Sequence, residues 1–337
     1  MANEYKYPFT NEFKEERGTT SLERRVILPQ RTVLAKRVRH SEGPCVADGG
    51  PAVLAADSEE ASLVLDFGSE TVGTVTVEVE MHQAGVLRFH YGEDVEEALR
   101  DHDYTCGWYV MPKDRFELEA GKHKLTNYGR RAFRYLRLTA EPGSGEVAIG
   151  KVSAELVHYP VQNRGFFSSS DPLLNQTWDI ARNTTKLCMQ QYYEDGIKRD
   201  GLLWVGDYRL QFLDSWFCFG DWKLARKSLY MIAVSQREDG AIPAAAGKGG
   251  GQQHPENIEY MPGVPHPFHN EWIIINYNTD FISGVKDYIV LTSDDAVLPD
   301  LWPYVKRTVE FLRKDVRLSE AKLTDHTIIT DTWVEYT

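Results

Sequence analysis

Two hydrophobic periods divide the chain. From about residue 26 to residue 158, apolar positions recur at every second residue in short runs broken by glycine and polar turns, the spacing of strands that bury one face. Val75, Val77, Val79 and Met81 alternate with Thr74, Thr76, Glu78 and Glu80, and residues 86–91 continue the pattern after a Gln-Ala-Gly turn. Residues 115–120, 132–138 and 152–158 complete the set. Short strands at a spacing of roughly 8–12 residues predict an antiparallel β-sandwich. No strand–helix alternation appears, which argues against a Rossmann-type half.

After Pro160 the period becomes helical. Asp171 followed by Pro172 is an N-cap with proline at the first helical position, where the missing N–H costs nothing. Leu174, Trp178, Ala181 and Leu187 then mark an apolar face on a helix reaching about residue 190. Further helices are predicted over 208–219, 222–235 and 270–291, and from about residue 300, where Leu301, Val305, Val309 and Leu312 share a face. The strings GDWKLARKSLYMI and SDDAVLPDLWPYVKRTVEFL echo one another. That echo favours an array of helical hairpins over an up-down bundle. Residues 238–269, rich in Gly, Pro and His, form a long connection of the kind that is usually functional.

Composition narrows the function classes. The 337 residues are 42% hydrophobic and 26% charged, ordinary for a globular chain of about two domains. The break in period places these at 1–160 and 161–337. No apolar run approaches the ~18 residues of a membrane span, so no membrane partner is expected. MANEYKYPFTNEFKEER has neither the basic nor the apolar region of a signal peptide, which makes a cytoplasmic location the expectation. Cys45, Cys106, Cys188 and Cys218 lie far apart with no CxxC, against a disulfide scaffold or zinc ribbon; Cys188 and Cys218 fall on apolar helix faces and read as inert core thiols. A net charge of −12 disfavours nucleic acid as a partner. Aromatic residues make up 12%, with eight tryptophans, and these suit either a core or a sugar-binding surface.

Chemistry concentrates in residues 192–207, YYEDGIKRDGLLWVGD, at the connection between the first two helices. Glu194, Asp195, Asp200 and Asp207 stand there with Lys198, Arg199 and Trp204. Carboxylates bind sugar hydroxyls, a guanidinium orients a neighbouring carboxyl, and an indole covers the C–H face of a pyranose. One of the acids could protonate a glycosidic oxygen. The same residue types also describe a solvated polar loop with an aromatic anchor.

The run Asp195-Gly-Ile-Lys-Arg-Asp200 followed by Trp204-Val-Gly-Asp207 resembles the D-x-P-x-R-(D/E)…W-x-G-D signature of α-L-rhamnosidases of glycoside hydrolase family 78. The strings GFFSSSDPLLNQTWDIARNT, DGAIPA and YIVLTSDDAVLPDLWPYVKRTVEFL resemble that family's catalytic helices. LVLDFGSETVGTVTVEVE, HYGED and GRRAFRYLRL resemble the sandwich before them, so the likeness spans about residues 60–337. It implies a multidomain β + α architecture, an antiparallel β-sandwich followed by part of an (α/α)6 six-hairpin toroid. It also implies inverting hydrolysis of terminal α-L-rhamnosides, with Asp200 as general acid. Asp195, Arg199, Trp204 and Asp207 would bind the rhamnose, and Asp331 and Trp333 are candidate pocket residues. Aspartate at position 200 reaches about one methylene less than the glutamate of many members, and Ile197 stands where the motif has proline. To act near neutral pH, Asp200 needs a raised pKa from neighbouring carboxylates and partial burial, with Arg199 opposing.

Inversion requires a second carboxylate about 6.5–9.5 Å from the acid. In the resembled family that base lies later than Thr337, so the chain is expected to hold about half of the toroid, with the base in a further C-terminal part. None of Glu256, Glu259, Glu271, Asp331 and Glu335 is assigned to that role. The expected partner is a rhamnose-containing glycoside or oligosaccharide, with no cofactor and no metal. A second copy or a complementary chain would cover an open half-toroid. The alternative is a catalytically inactive carbohydrate-binding fragment or remnant. His254, His266 and His269 lack the helical HExxH register, and Pro265 and Pro267 break any helix there. GKGGG at 247–251 is no P-loop, because no Ser or Thr follows Lys248. The pairs Arg24-Arg25 and Arg130-Arg131 are expected at solvated sheet positions.

Overall fold

The computed structural model describes residues 20–40, 52–100, 104–106, 109–111, 113–198, 201–246 and 273–319. The first part is β1 (Glu23–Ile27), β2 (Arg31–Lys36), β3 (Val38–His40), β4 (Ala52–Ala56), β5 (Ala61–Met81) and β6 (Gly85–Gly92). One helical turn, α1 (Val95–Ala98), precedes β7 (Tyr104–Cys106), β8 (Tyr109–Met111), β9 (Asp114–Leu118), β10 (Gly121–Thr126), β11 (Arg131–Ala140) and β12 (Gly145–His158). The helices that follow are α2 (Pro172–Cys188), α3 (Val205–Phe219), α4 (Lys223–Val234), α5 (Ile275–Thr292) and α6 (Leu298–Ser319). A two-strand ribbon of β13 (Leu203–Trp204) and β14 (Ala245–Ala246) lies among them.

The 21-residue strand β5 organises the sandwich. It bends at Gly68, whose φ of 85° is a left-handed conformation suited to glycine. Before the bend β5 pairs with β2, and after it with β10 and β12, while β11 follows it across the bend with a register shift between Phe133 and Tyr135. One strand therefore serves both layers. Leu63, Leu65, Phe89, Phe133 and Leu136 from one layer meet Val75, Val77, Val79, Val147 and Ile149 from the other in a single buried core. The architecture is the antiparallel sandwich that the period-two pattern predicts.

A buried carboxylate pins the bend. Asp66 accepts from Arg134 Nε at 2.9 Å, Arg31 Nε at 3.0 Å and the Gly68 backbone N–H at 2.8 Å. The Arg134 guanidinium, aided by the Gly68 amide and Arg31 against the opposing effect of burial, lowers its pKa from 3.8 to about 2. A depressed carboxyl stabilises the fold above its unfolded pKa, and that stability is lost as pH falls from about 4 towards 2. Chemical denaturation should show wild type losing about 2 kcal/mol across this window. The profile of Asp66→Asn should be flatter; an equally steep one would remove Asp66 as the source.

The five predicted helices form close to their expected positions. Asp171 caps α2 by accepting from the Leu173 N–H at 2.8 Å, with Pro172 next to it. Helices α3 to α6 share a core that includes Tyr208, Phe212, Leu229, Ile232, Phe281, Val285, Tyr288, Leu301 and Val305. The apolar face of α2 goes elsewhere than its pattern suggests. Only Thr185, Leu187 and Cys188 of α2 are buried, while Leu173, Leu174 and Ile180 are exposed, and Trp178 stacks on Phe167 at 5.7 Å. Amphipathic spacing identifies the apolar side of a helix but not the neighbour that covers it.

The two halves meet along a continuous junction. Leu187 at the end of α2 packs with Val72 and Ala132 of the sandwich, and Leu156 and Ile197 close the cluster. Gln190 Nε2 donates to the Val157 carbonyl at 2.9 Å, and the Tyr159 N–H donates to the Met189 carbonyl at 2.7 Å. Ile197, where the resembled motif has proline, thus has a packing role at this junction. Among the described residues no helix is long and apolar enough to cross a membrane.

Candidate active site

The charged segment folds into a loop pinned at its base. The Asp195 N–H donates to the Leu202 carbonyl at 2.9 Å, and the Leu202 N–H returns to Asp195 Oδ1 at 2.9 Å. Inside that pair, the Gly201 N–H donates to the Gly196 carbonyl at 2.8 Å, with Gly201 at a φ of 60°. The Tyr192 hydroxyl donates to the Gly201 carbonyl at 3.0 Å. Arg199 and Asp200 lie outside the described residues, between Lys198 and Gly201. Asp331, Trp333, Glu256, Glu259, Glu271, Glu335, the three histidines and residues 247–251 also lie outside them.

Beyond the loop the chain enters β13 and then α3. Trp204 is buried beside Leu202, Ala244 and Ile274, and its ring meets Tyr277 edge-on, with centroids 6.2 Å apart. Asp207 stands in the first turn of α3 and accepts from the Tyr277 hydroxyl at 3.5 Å. The glycine between them has a physical reason. A Cβ on Gly206 would lie 2.3 Å from Tyr277 Cε1, so only glycine lets α5 bring that ring against both Trp204 and Asp207. The start of the long connection also reaches the site, since β14 pairs with β13 and the Ala244 carbonyl accepts from the Val205 N–H at 3.0 Å.

The electrostatics place several acids in one region. Glu194 is wholly buried against Arg130 Nη2 at 2.6 Å; burial pushes its carboxyl up, and Arg130 pulls it back. Asp280 on α5 is raised by burial, with Arg209 opposing and Asp207 adding to the rise. Cys188 is buried behind the loop, its thiol pushed to about 12 by burial and then by Glu194, consistent with an inert core thiol. No group of three or more His, Cys, Asp or Glu suited to a metal ion occurs among the described residues.

Comparison with known proteins gives the site a lineage. A family profile described as bacterial alpha-L-rhamnosidase 6 hairpin glycosidase domain matches residues 162–334, just over half of the chain. The chain belongs to this rhamnosidase six-hairpin family. Its fold is similar to "rhamnosidase from Klebsiella oxytoca with rhamnose bound", with a TM-score of 0.70 and 22% identity over 89% of this chain and 58% of that one. A GH78 family rhamnosidase of Bacillus sp. GL1 matches at a TM-score of 0.58 and 27% identity over 77% of this chain and 25% of the other. An α-L-rhamnosidase of Streptomyces avermitilis complexed with L-rhamnose matches at 0.59 and 17%, over 88% and 25%. The chain therefore spans 58% or less of the length of each of these structures. No curated protein sequence matches it.

Within this rhamnosidase-family fold, the structure gathers Asp195, Trp204 and Asp207 at one end of the helices. It adds partners that the motif does not reveal: Tyr277 and Asp280 from α5, Arg130 from the turn before β11, and Glu97 from α1. Arg130 and Arg131 are not solvated sheet positions. Arg130 seats Glu194, and Arg131, 7% exposed, grips Asp114 at 2.9 Å. Arg24, by contrast, is exposed beside Glu155. The one signal for the buried pair was the run GRR next to an aromatic strand, and sequence spacing could not relate it to Glu194 more than sixty residues later.

Proposed function

We propose that this chain acts on terminal α-L-rhamnosides as a glycoside hydrolase. In this reading Asp200 protonates the departing oxygen, while Asp195, Arg199, Trp204 and Asp207 hold the sugar, with Asp331 and Trp333 as further pocket residues. The observation that supports the reading is the pinned loop within the matched rhamnosidase domain, in which Asp195 both donates its N–H to the Leu202 carbonyl and accepts the Leu202 N–H on its carboxylate. Protonation makes the aglycone oxygen a neutral leaving group as the ring gains oxocarbenium character. A second carboxylate then delivers water to the opposite face, giving inversion, and we place that base C-terminal to the residues assigned here. The exposed Leu173, Leu174, Ile180, Leu210 and Phe217 support association with a second copy or a complementary chain.

The test is calorimetric titration with L-rhamnose, together with NMR of the anomer first released from an alkyl α-L-rhamnoside. Saturable binding with release of the β-anomer is the expected result. Binding without turnover would favour a carbohydrate-binding role instead, and absence of both would overturn the reading.

A further inference from the structure

We propose that the β-sandwich holds the sugar-binding loop in place: Arg130 and Glu97, on two turns of the sandwich, are positioning residues that grip Glu194 and Lys198 on either side of Asp195. The proposal rests on the reading of this loop as the sugar site.

The first grip is buried. Glu194 immediately precedes Asp195 and has no solvent exposure, and Arg130 is 12% exposed. Helix α3 adds a second tie to the same residue, because Gln211 Nε2 donates to the Glu194 carbonyl at 2.5 Å. The second grip is bidentate. Lys198 Nζ lies 2.5 and 2.6 Å from the two carboxylate oxygens of Glu97, and 3.3 Å from Glu93 Oε2. Lys198 and Glu97 are 19% and 10% exposed, so solvent and salt screen this pair weakly.

Glu97 is itself fixed within the sandwich. Its N–H donates to Asp94 Oδ1 at 2.8 Å, and its Oε2 accepts from the Glu93 N–H at 2.8 Å. Gly92 makes the tight turn possible, because a Cβ there would lie 2.5 Å from the Asp94 carbonyl oxygen. The carboxylate that receives Lys198 therefore stands ready on a rigid turn. Fixing the loop from a separate domain confines Asp195 and its neighbours to one arrangement, and a misplacement of about 1 Å in such a site can cost roughly 10²-fold in rate.

The experiment compares three variants of the full chain with wild type. Lys198→Met removes the grip on Glu97. Arg130→Met combined with Glu194→Leu removes the buried one without stranding a charge. Lys198→Arg keeps the cation. Hydrogen exchange of the peptide covering residues 193–203 should rise about tenfold in the first two variants, while peptides from β12 and α5 keep wild-type protection. L-rhamnose affinity should fall roughly tenfold, and cleavage of an alkyl rhamnoside should fall more than that of a nitrophenyl rhamnoside. Lys198→Arg should restore all three readouts. Unchanged loop exchange overturns the proposal whether or not wild type binds sugar. A looser loop with unchanged affinity, in a chain whose wild type binds rhamnose, overturns it as well. A loop that responds in a chain that never binds rhamnose upholds the grip and sinks the sugar-site reading alone.

Discussion

Replacing Asp200 with asparagine is expected to lower the cleavage of an alkyl α-L-rhamnoside by about 10²–10⁴-fold, with L-rhamnose affinity kept within a few-fold. Asparagine preserves size and hydrogen bonding but has no proton to give. The loss should depend on the leaving group. An alkoxide is a poor leaving group and needs the proton, whereas a nitrophenolate departs with little help. The variant should therefore lose far less on a nitrophenyl rhamnoside, and its alkaline limb in kcat/KM, which reports the free enzyme's acid, should disappear. A uniform loss on both substrates would point to a role in binding. Full activity on the alkyl substrate would falsify the assignment of Asp200.

Glu70→Gln should have the largest effect on stability, and its sign depends on pH. Glu70 sits just past the bend of β5 and lines a cleft of about 540 Å³ between the sandwich and α2, together with Arg25, His158, Asn183 and Lys186. Its Oε1 is buried with no hydrogen-bond partner. Burial, and then the charge of Glu93, raise the Glu70 carboxyl from 4.5 to about 8. The folded state therefore keeps a proton that the unfolded chain releases, so stability declines as pH rises from about 4.5 to about 8 and levels off above. At ~1.4 kcal/mol per pH unit the upper bound is about 5 kcal/mol, and solvent at the cleft mouth reduces it to about 2–3 kcal/mol. Denaturant melts at pH 5 and pH 9 should show the glutamine variant close to wild type at the lower pH and more stable at the higher. A variant less stable than wild type at pH 9 would mean that the carboxylate is paired in the folded state.

The three carboxyls near the junction share a chemistry and differ in surroundings. Asp66 is held down by two guanidiniums and a backbone amide. Glu70 has a buried oxygen without a partner and is raised. Glu194 is wholly buried and raised despite Arg130. In the sequence all three are acids beside apolar runs, and nothing local separates them. Their ionisation depends on the charges that other strands and turns bring within a few ångströms, and interactions of this kind fall off steeply with distance and solvent.

Glycine and proline positions were more legible. Asp171-Pro172 marked the start of α2 because a cap is a local hydrogen bond. The Trp204-Val-Gly-Asp207 run could be placed at a helix start, but only Tyr277 shows why Gly206 must lack a side chain. The bend of β5 was hidden because a strand that passes between layers still alternates on both sides of Gly68. Ile197 looked like a departure from the resembled motif, and it packs where the sandwich meets the end of α2.

What the sequence determined by itself was local and periodic. The change from period two to a helical period separated strands from helices, and the spacing from Asp195 to Asp207 identified the loop and its lineage. Both are carried by residues close together along the chain, where periodicity and caps act. The tertiary structure alone decided which surfaces and charges meet. It left most of the apolar face of α2 exposed, brought Tyr277 and Asp280 to Asp207, and set Arg130 and Glu97 of the sandwich against Glu194 and Lys198. Those contacts join residues many tens of positions apart, so they depend on how the two layers and the helices pack, and no sequence period records that.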